Sequence, residues 1–67
     1  MDIRLNGEPQ SVPAATLGEL LALHAIDPAK PGVAVALNAA VVPRTRWQST
    51  PLSPGDEVEI VKPHSGG

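Results

Sequence analysis

The chain has 67 residues, five Lys and Arg against seven Asp and Glu, no cysteine and a single aromatic, Trp47, which makes one small domain of net charge −2. Without cysteine there are no disulfides, no thiol nucleophile and no thiolate metal site, and a weakly acidic balance disfavours a nucleic-acid partner. No apolar run is long enough to span a bilayer, and Met1-Asp2-Ile3-Arg4 lacks the basic start and long apolar run of a secretory leader, so a cytoplasmic protein without membrane contact is expected.

An apolar content of 42% at low net charge favours a folded domain over disorder. A domain this short buries only about 60% of the surface its unfolded chain exposes, so its core must be packed economically from Leu, Val, Ile and Ala.

Met1, Ile3 and Leu5 alternate with Asp2, Arg4 and Asn6, the period of a half-buried strand. Asn6-Gly7 then predicts a type I′ hairpin turn, which needs positive φ at both central residues. The return strand is Glu8 to Val12, placed at an edge or a strand start by Pro9.

Pro13-Ala14-Ala15 is a connector. Thr16 reads as a helix N-cap, with Glu19 three residues on as in a capping box. Leu17, Leu20, Leu21 and His24 form one helical face, with Leu23 and Ile26 beside it. The spacing predicts a helix from about Leu17 to about Ala25, ended before Asp27-Pro28. His24 has two readings, a catalytic group or a cap on the last helical turn. The cap is favoured, because no second ligand or carboxylate lies at useful spacing.

Pro28 to Gly32 is a loop. Val33 to Leu37 is apolar throughout, which suits a central strand covered on both faces or buried through small alanines. Asn38-Ala39 is a turn signal, Ala40 to Val42 a short strand stopped by Pro43, and Arg44 to Trp47 a single 3₁₀ or helical turn with Trp47 as a lid on the core. Pro51 to Asp56 is a turn cluster. The last strand is Glu57 to Val61, with Val58 and Ile60 facing one way and Glu57, Glu59 and Val61 the other.

This order is strand, strand, helix, strand, short strand, turn, strand. One amphipathic helix covers one face of a mixed sheet of four to five strands, the α+β arrangement of a β-grasp (ubiquitin-like) domain. Its first and last strands are central and parallel, and its other face is free for partners. The domain is expected over residues 1–61.

Residues 62–67, Lys62-Pro63-His64-Ser65-Gly66-Gly67, have nothing apolar to bury and read as a flexible tail. Glycine lacks a Cβ, so Gly66 and Gly67 let the backbone enter a narrow channel and present a bare carboxylate. The plainer reading is a frayed terminus.

Several segments together resemble the ThiS family of ubiquitin-like sulfur carriers in thiamin biosynthesis. They are Leu5-Asn6-Gly7-Glu8, Thr16-Leu17, Val35-Ala36-Leu37-Asn38, Val41-Val42-Pro43-Arg44 with Trp47, Leu52 before Gly55-Asp56, and Val58-Glu59-Ile60-Val61 running to Gly66-Gly67. The ending Pro63-x-Ser65-Gly66-Gly67 is also similar to the related molybdopterin-synthase small subunits, the MoaD family.

The resemblance implies a carrier rather than an enzyme, with no bound cofactor and no metal. Gly67 would be adenylated at its carboxylate by an E1-like (ThiF-like) partner using ATP, then converted to a thiocarboxylate that donates sulfur to a thiazole synthase (ThiG-like). Gly66, Ser65 and His64 would lie in the partner's channel, with Ser65 and His64 read first as solvated spacers. Arg44 and Trp47 either fix their loop against the core or belong to the docking face. Burial is favoured for Trp47, and both readings stand for Arg44. The alternatives to a thiamin carrier are a molybdopterin-synthase subunit, a modifier joined through Gly67 to lysine, and a plain binding module.

Overall fold

Hydrophobic alternation and turn chemistry produce five strands and one α-helix, in a computed structural model that describes residues 1–62. The readings placed on Gly67, Gly66, Ser65 and His64 therefore lie outside the described residues. Strands β1 (Asp2–Leu5) and β2 (Glu8–Ser11) form the first hairpin, with Asn6 at φ 51° and Gly7 at φ 84° in the turn. Helix α1 is Leu17–Leu23. Strands β3 (Ala34–Leu37) and β4 (Ala40–Val41) make a second hairpin, and β5 (Glu57–Val61) closes the sheet.

The strand order is β2-β1-β5-β3-β4. Strand β1 runs parallel to β5, with Arg4 beside Glu57 and Leu5 beside Val58, while β5 runs antiparallel to β3 from Ala34–Val61 to Leu37–Val58. This is the β-grasp arrangement expected from the element order, with five strands and with β2, which carries Pro9, at an edge.

Leu17, Leu20 and Leu21 of α1 lie over Ile3 and Leu5 of β1, Val35 of β3 and Val58 of β5. Val12, Ala14, Ile26, Trp47 and Leu52 complete the core. Among the described residues no polar or charged side chain is buried. A 3₁₀ helix, Arg44–Ser49, packs against α1 and carries Trp47 into the core. It is longer than the single turn predicted, and the hydroxyls of Ser49 and Thr50 both donate to the Arg46 carbonyl near its end.

Three expectations are corrected. First, the helix ends two residues early. Ala25 turns left-handed at φ 58°, its N–H donates to the Ala22 carbonyl (3.0 Å) and the Ile26 N–H to the Leu21 carbonyl (3.0 Å). This is a Schellman stop, with Leu21 and Ile26 both buried in the core, and it lies ahead of Asp27-Pro28. Second, Leu23 is 58% exposed rather than beside the core face. At about 100° per residue it points roughly 110° away from the centre of the Leu17–Leu20–Leu21 stripe. Third, β3 is covered on one face only. Val35 is buried, whereas Ala34 is exposed and Ala36 half-buried. The capping box also differs in detail. Thr16 Oγ1 accepts from the Glu19 N–H (3.2 Å), but Glu19 Oε1 accepts from the N–H of Ala15, one residue before the cap (3.0 Å).

Two alanines occupy positions that favour glycine: Ala25 at the helix stop and Ala39, at φ 69°, in the β3–β4 turn. A Cβ in this region costs about 1–2 kcal/mol, against the 0.5–1 kcal/mol of chain entropy that glycine adds to the unfolded state. Ala25→Gly and Ala39→Gly are each expected to stabilise by about 0.5 kcal/mol, a rise of a few degrees in Tm by calorimetry. Gly18 presents the opposite case. A Cβ there would stand 2.9 Å from the backbone Cα of Gln48, where α1 meets the 3₁₀ helix. Gly18→Ala is expected to destabilise by about 1 kcal/mol in urea denaturation, despite alanine's higher helix propensity, because the 3₁₀ helix must move.

Candidate functional site

Strand β5 sits in the middle of the sheet and ends at Val61, with Lys62 the last described residue. Two features surround this strand end: an open apolar face and a side-chain clasp on the strand backbone.

The face follows from register. Ala34 pairs with Val61, and Ala36 pairs with both Glu59 and Val41. Pairing and period-two alternation put Ala34, Ala36, Val41 and Val61 together on the side of the sheet opposite the helix. Val41 is 77% exposed and Val61 63% exposed. Glu59 stands among them on β5, also exposed. Small alanines flanked by two exposed valines make a shallow apolar surface that runs up to the end of β5.

The clasp is made by asparagines, one from each hairpin turn. The Asn6 backbone N–H donates to the Val58 carbonyl (2.8 Å), its Oδ1 accepts from the Ile60 N–H (2.8 Å) and its Nδ2 donates to the Ile60 carbonyl (3.4 Å). From the other side, the Asn38 N–H donates to the Glu57 carbonyl (2.7 Å) and Asn38 Oδ1 accepts from the Glu57 N–H (2.9 Å). Asn38 Nδ2 donates to Asp56 Oδ1 (3.1 Å), and Asp56 Oδ2 accepts from the Ser53 N–H (2.8 Å), holding the turn that precedes β5. Sequence reasoning identified both asparagines only as turn residues. Their spacing from β5, 54 positions for Asn6 to Ile60, carries no local signal.

The remaining sequence candidates separate. Trp47 is 2% exposed, and its Nε1 donates to the Val42 carbonyl (2.9 Å), so it belongs to the core and not to the open face. Arg44 is exposed, and its guanidinium makes a long contact to the Lys30 carbonyl (3.5 Å). His24 is the C-cap residue of α1; its backbone N–H donates to the Leu21 carbonyl (3.1 Å). Its half-buried side chain lines an open groove of about 310 Å³ with Leu5, Asn6, Ile26, Ile60 and Lys62. Among the described residues no three His, Asp or Glu side chains are grouped to hold a metal ion, and no helix is long and apolar enough to cross a membrane.

The same architecture is found in solved structures. The chain is similar to the crystal structure of the thiamine biosynthesis protein ThiS from Geobacter metallireducens, at 33% identity and a TM-score of 0.79, over 100% of each chain. It is similar to the solution structure of a thiamine biosynthesis protein from Geobacter metallireducens at 33% identity and a TM-score of 0.81, covering 100% of this chain and 88% of that one. Among curated proteins none matches. The sequence model of the ThiS family matches residues 3–67, so the resemblance carried by the Asn6-Gly7 hairpin, the Val41-Val42-Pro43-Arg44 segment and the glycine ending extends over nearly the whole chain, and the protein belongs to the ThiS family.

Proposed function

We propose that this protein is a sulfur carrier of thiamin biosynthesis that works through the carboxylate of Gly67. The observation that carries the reading is the family match, which runs to residue 67 and so includes Gly66-Gly67. The placement of β5 supports it, since a strand gripped on both sides ends at Val61 beside an exposed apolar face.

The chemistry explains the residue types. A carboxylate resists nucleophiles, because resonance and charge protect its carbon. An E1-like adenylyltransferase, ThiF-like, removes that protection with ATP. The Gly67 carboxylate oxygen attacks the α-phosphorus, pyrophosphate leaves, and an acyl adenylate forms. A persulfide sulfur then attacks the acyl carbon and AMP leaves. A thiol cleaves the resulting S–S bond, so that one sulfur stays on Gly67 as a thiocarboxylate. A thiazole synthase, ThiG-like, receives that sulfur. Beyond the Gly67 carboxylate itself, the carrier contributes no acid, base or nucleophile to these steps and binds no cofactor of its own. Its parts are a docking surface and an unhindered carboxyl end, where a Cβ on Gly66 or Gly67 would crowd the approach to the α-phosphorus.

The open face of Ala34, Ala36, Val41 and Val61, with Arg44 nearby in sequence, is the docking surface in this scheme, because apolar contact there places the chain end at the partner's site. Ser65 and His64 act as spacers between the two.

Two measurements test the reading. Intact mass of the protein from sulfur-replete cells is expected to show replacement of one oxygen by sulfur, and a Gly67-lysine cross-link or an unmodified mass would overturn it. Gly67→Ala is expected to cut pyrophosphate release with the adenylating partner by tenfold or more at unchanged Tm, so an unaltered rate would sink the role of Gly67. For the docking surface, Val41→Glu is expected to raise KM for that partner several-fold while stability shifts by no more than about 0.5 kcal/mol, as for other exposed positions.

A further inference from the structure

We propose that Asn6 is a positioning residue for the chemistry at the C-terminus: its side-chain amide clamps the backbone of Ile60 and thereby sets where the ordered part of β5 ends. The inference rests on the carrier reading above for its functional consequence, and on geometry alone for the clamp.

The β3–β5 ladder shows why a clamp is needed. Asn38 donates to the Glu57 carbonyl, so residues 38 and 57 form a hydrogen-bonded pair. In an antiparallel ladder such pairs alternate with non-bonded ones. Ala36–Glu59 and Ala34–Val61 are therefore bonded, and Val35–Ile60 is not. The N–H and C=O of Ile60 point away from β3, towards β1. But β1 ends at Leu5, opposite Val58, and Asn6 has already turned left-handed to enter the hairpin. Its backbone carbonyl cannot continue the parallel ladder. Its side-chain amide does so instead, with Oδ1 accepting from the Ile60 N–H (2.8 Å) and Nδ2 donating to the Ile60 carbonyl (3.4 Å). One side chain thus substitutes for a missing strand residue.

The consequence lies at the exit. With the clamp, β5 is held from both sides as far as Ile60 and ends at Val61, six positions before Gly67 in the sequence. Without it, the last three residues of β5 are held by β3 alone. Full release back to Val58 would move the last held residue from six positions before Gly67 to nine. The concentration of a tethered end at a fixed site falls as about the −3/2 power of tether length, so the length change alone lowers it roughly twofold. Loss of the exit direction adds to this.

Asn6→Gly tests the proposal, because glycine accepts the φ of 51° and keeps the turn while removing the amide. Asn38→Gly is the control: it keeps its own left-handed turn and loses bonds to the other end of β5. Asn6→Asp retains the acceptor for the Ile60 N–H but not the donor. In Asn6→Gly, amide exchange at Ile60 is expected to speed up at least tenfold while Leu20 and Val35 amides change by less than threefold. With the adenylating partner, kcat is expected to fall two- to fivefold at a KM within twofold of wild type. Asn6→Asp should lie in between, and Asn38→Gly should lose stability without losing kcat. Unchanged Ile60 exchange in Asn6→Gly would overturn the clamp. Faster exchange with unchanged kcat, or an equal loss of kcat in Asn38→Gly, would overturn the positioning role. If the wild-type protein is not adenylated at all, the carrier reading fails and the positioning role fails with it, whatever the exchange data say of the clamp.

Discussion

A parallel pair of strands cannot be closed by a tight turn, and the ladder between β1 and β5 imposes that constraint on the whole chain. Everything from β2 to the turn before β5 must fit into one crossover. The helix takes the only position in which Leu17, Leu20 and Leu21 can bury themselves, over one face of the sheet. The 3₁₀ helix, with Trp47 inserted and Gly18 giving it close approach, seals the end of that layer. The other face is left without a layer because, among the described residues, there is no second amphipathic helix to cover it. Openness of that face is thus a consequence of topology, and the same topology brings the chain's exit to its border.

Strand β5 has a further difficulty. It is central, so its backbone groups need partners on both sides, yet β1 is too short to serve its last residues and β3 has its own hairpin to close. The two asparagines resolve this from opposite ends. Asn38 binds the start of β5 and the carboxylate of Asp56, and Asn6 binds its end at Ile60. Both can do so because both are left-handed turn residues. That conformation turns the main chain away and leaves the short amide side chain aimed back along the sheet. A residue chosen for its turn geometry therefore also supplies ladder hydrogen bonds, and glycine at either place would supply only the first.

Most of the fold is legible along the chain because its determinants are local. Alternation in β1, the Asn6-Gly7 turn, the Thr16 cap and the Pro-rich cluster before β5 each act within a few residues. Periodicity carries the helix two residues too far because Ala25 is an unusual left-handed stop, which only its Schellman hydrogen bonds reveal. The hydrophobicity of Leu23 suggests a burial that its angular position on the helix denies. The all-apolar run from Val33 to Leu37 suggested a strand covered on both faces, whereas its alanines line the open side.

The sequence by itself determined the element order, the Asn6-Gly7 turn and the segments that carry the family resemblance, since periodicity, caps and short motifs are properties of neighbouring residues. Tertiary structure alone decided which side chains serve which strand. It buried Trp47 and left Arg44 outside, it gathered Ala34, Ala36, Val41 and Val61 into one surface, and it brought Asn6 to Ile60 across 54 positions. These juxtapositions depend on register and on the orientation of backbone hydrogen bonds across strands. Both are set when the chain closes on itself, and neither is written in any single stretch of it.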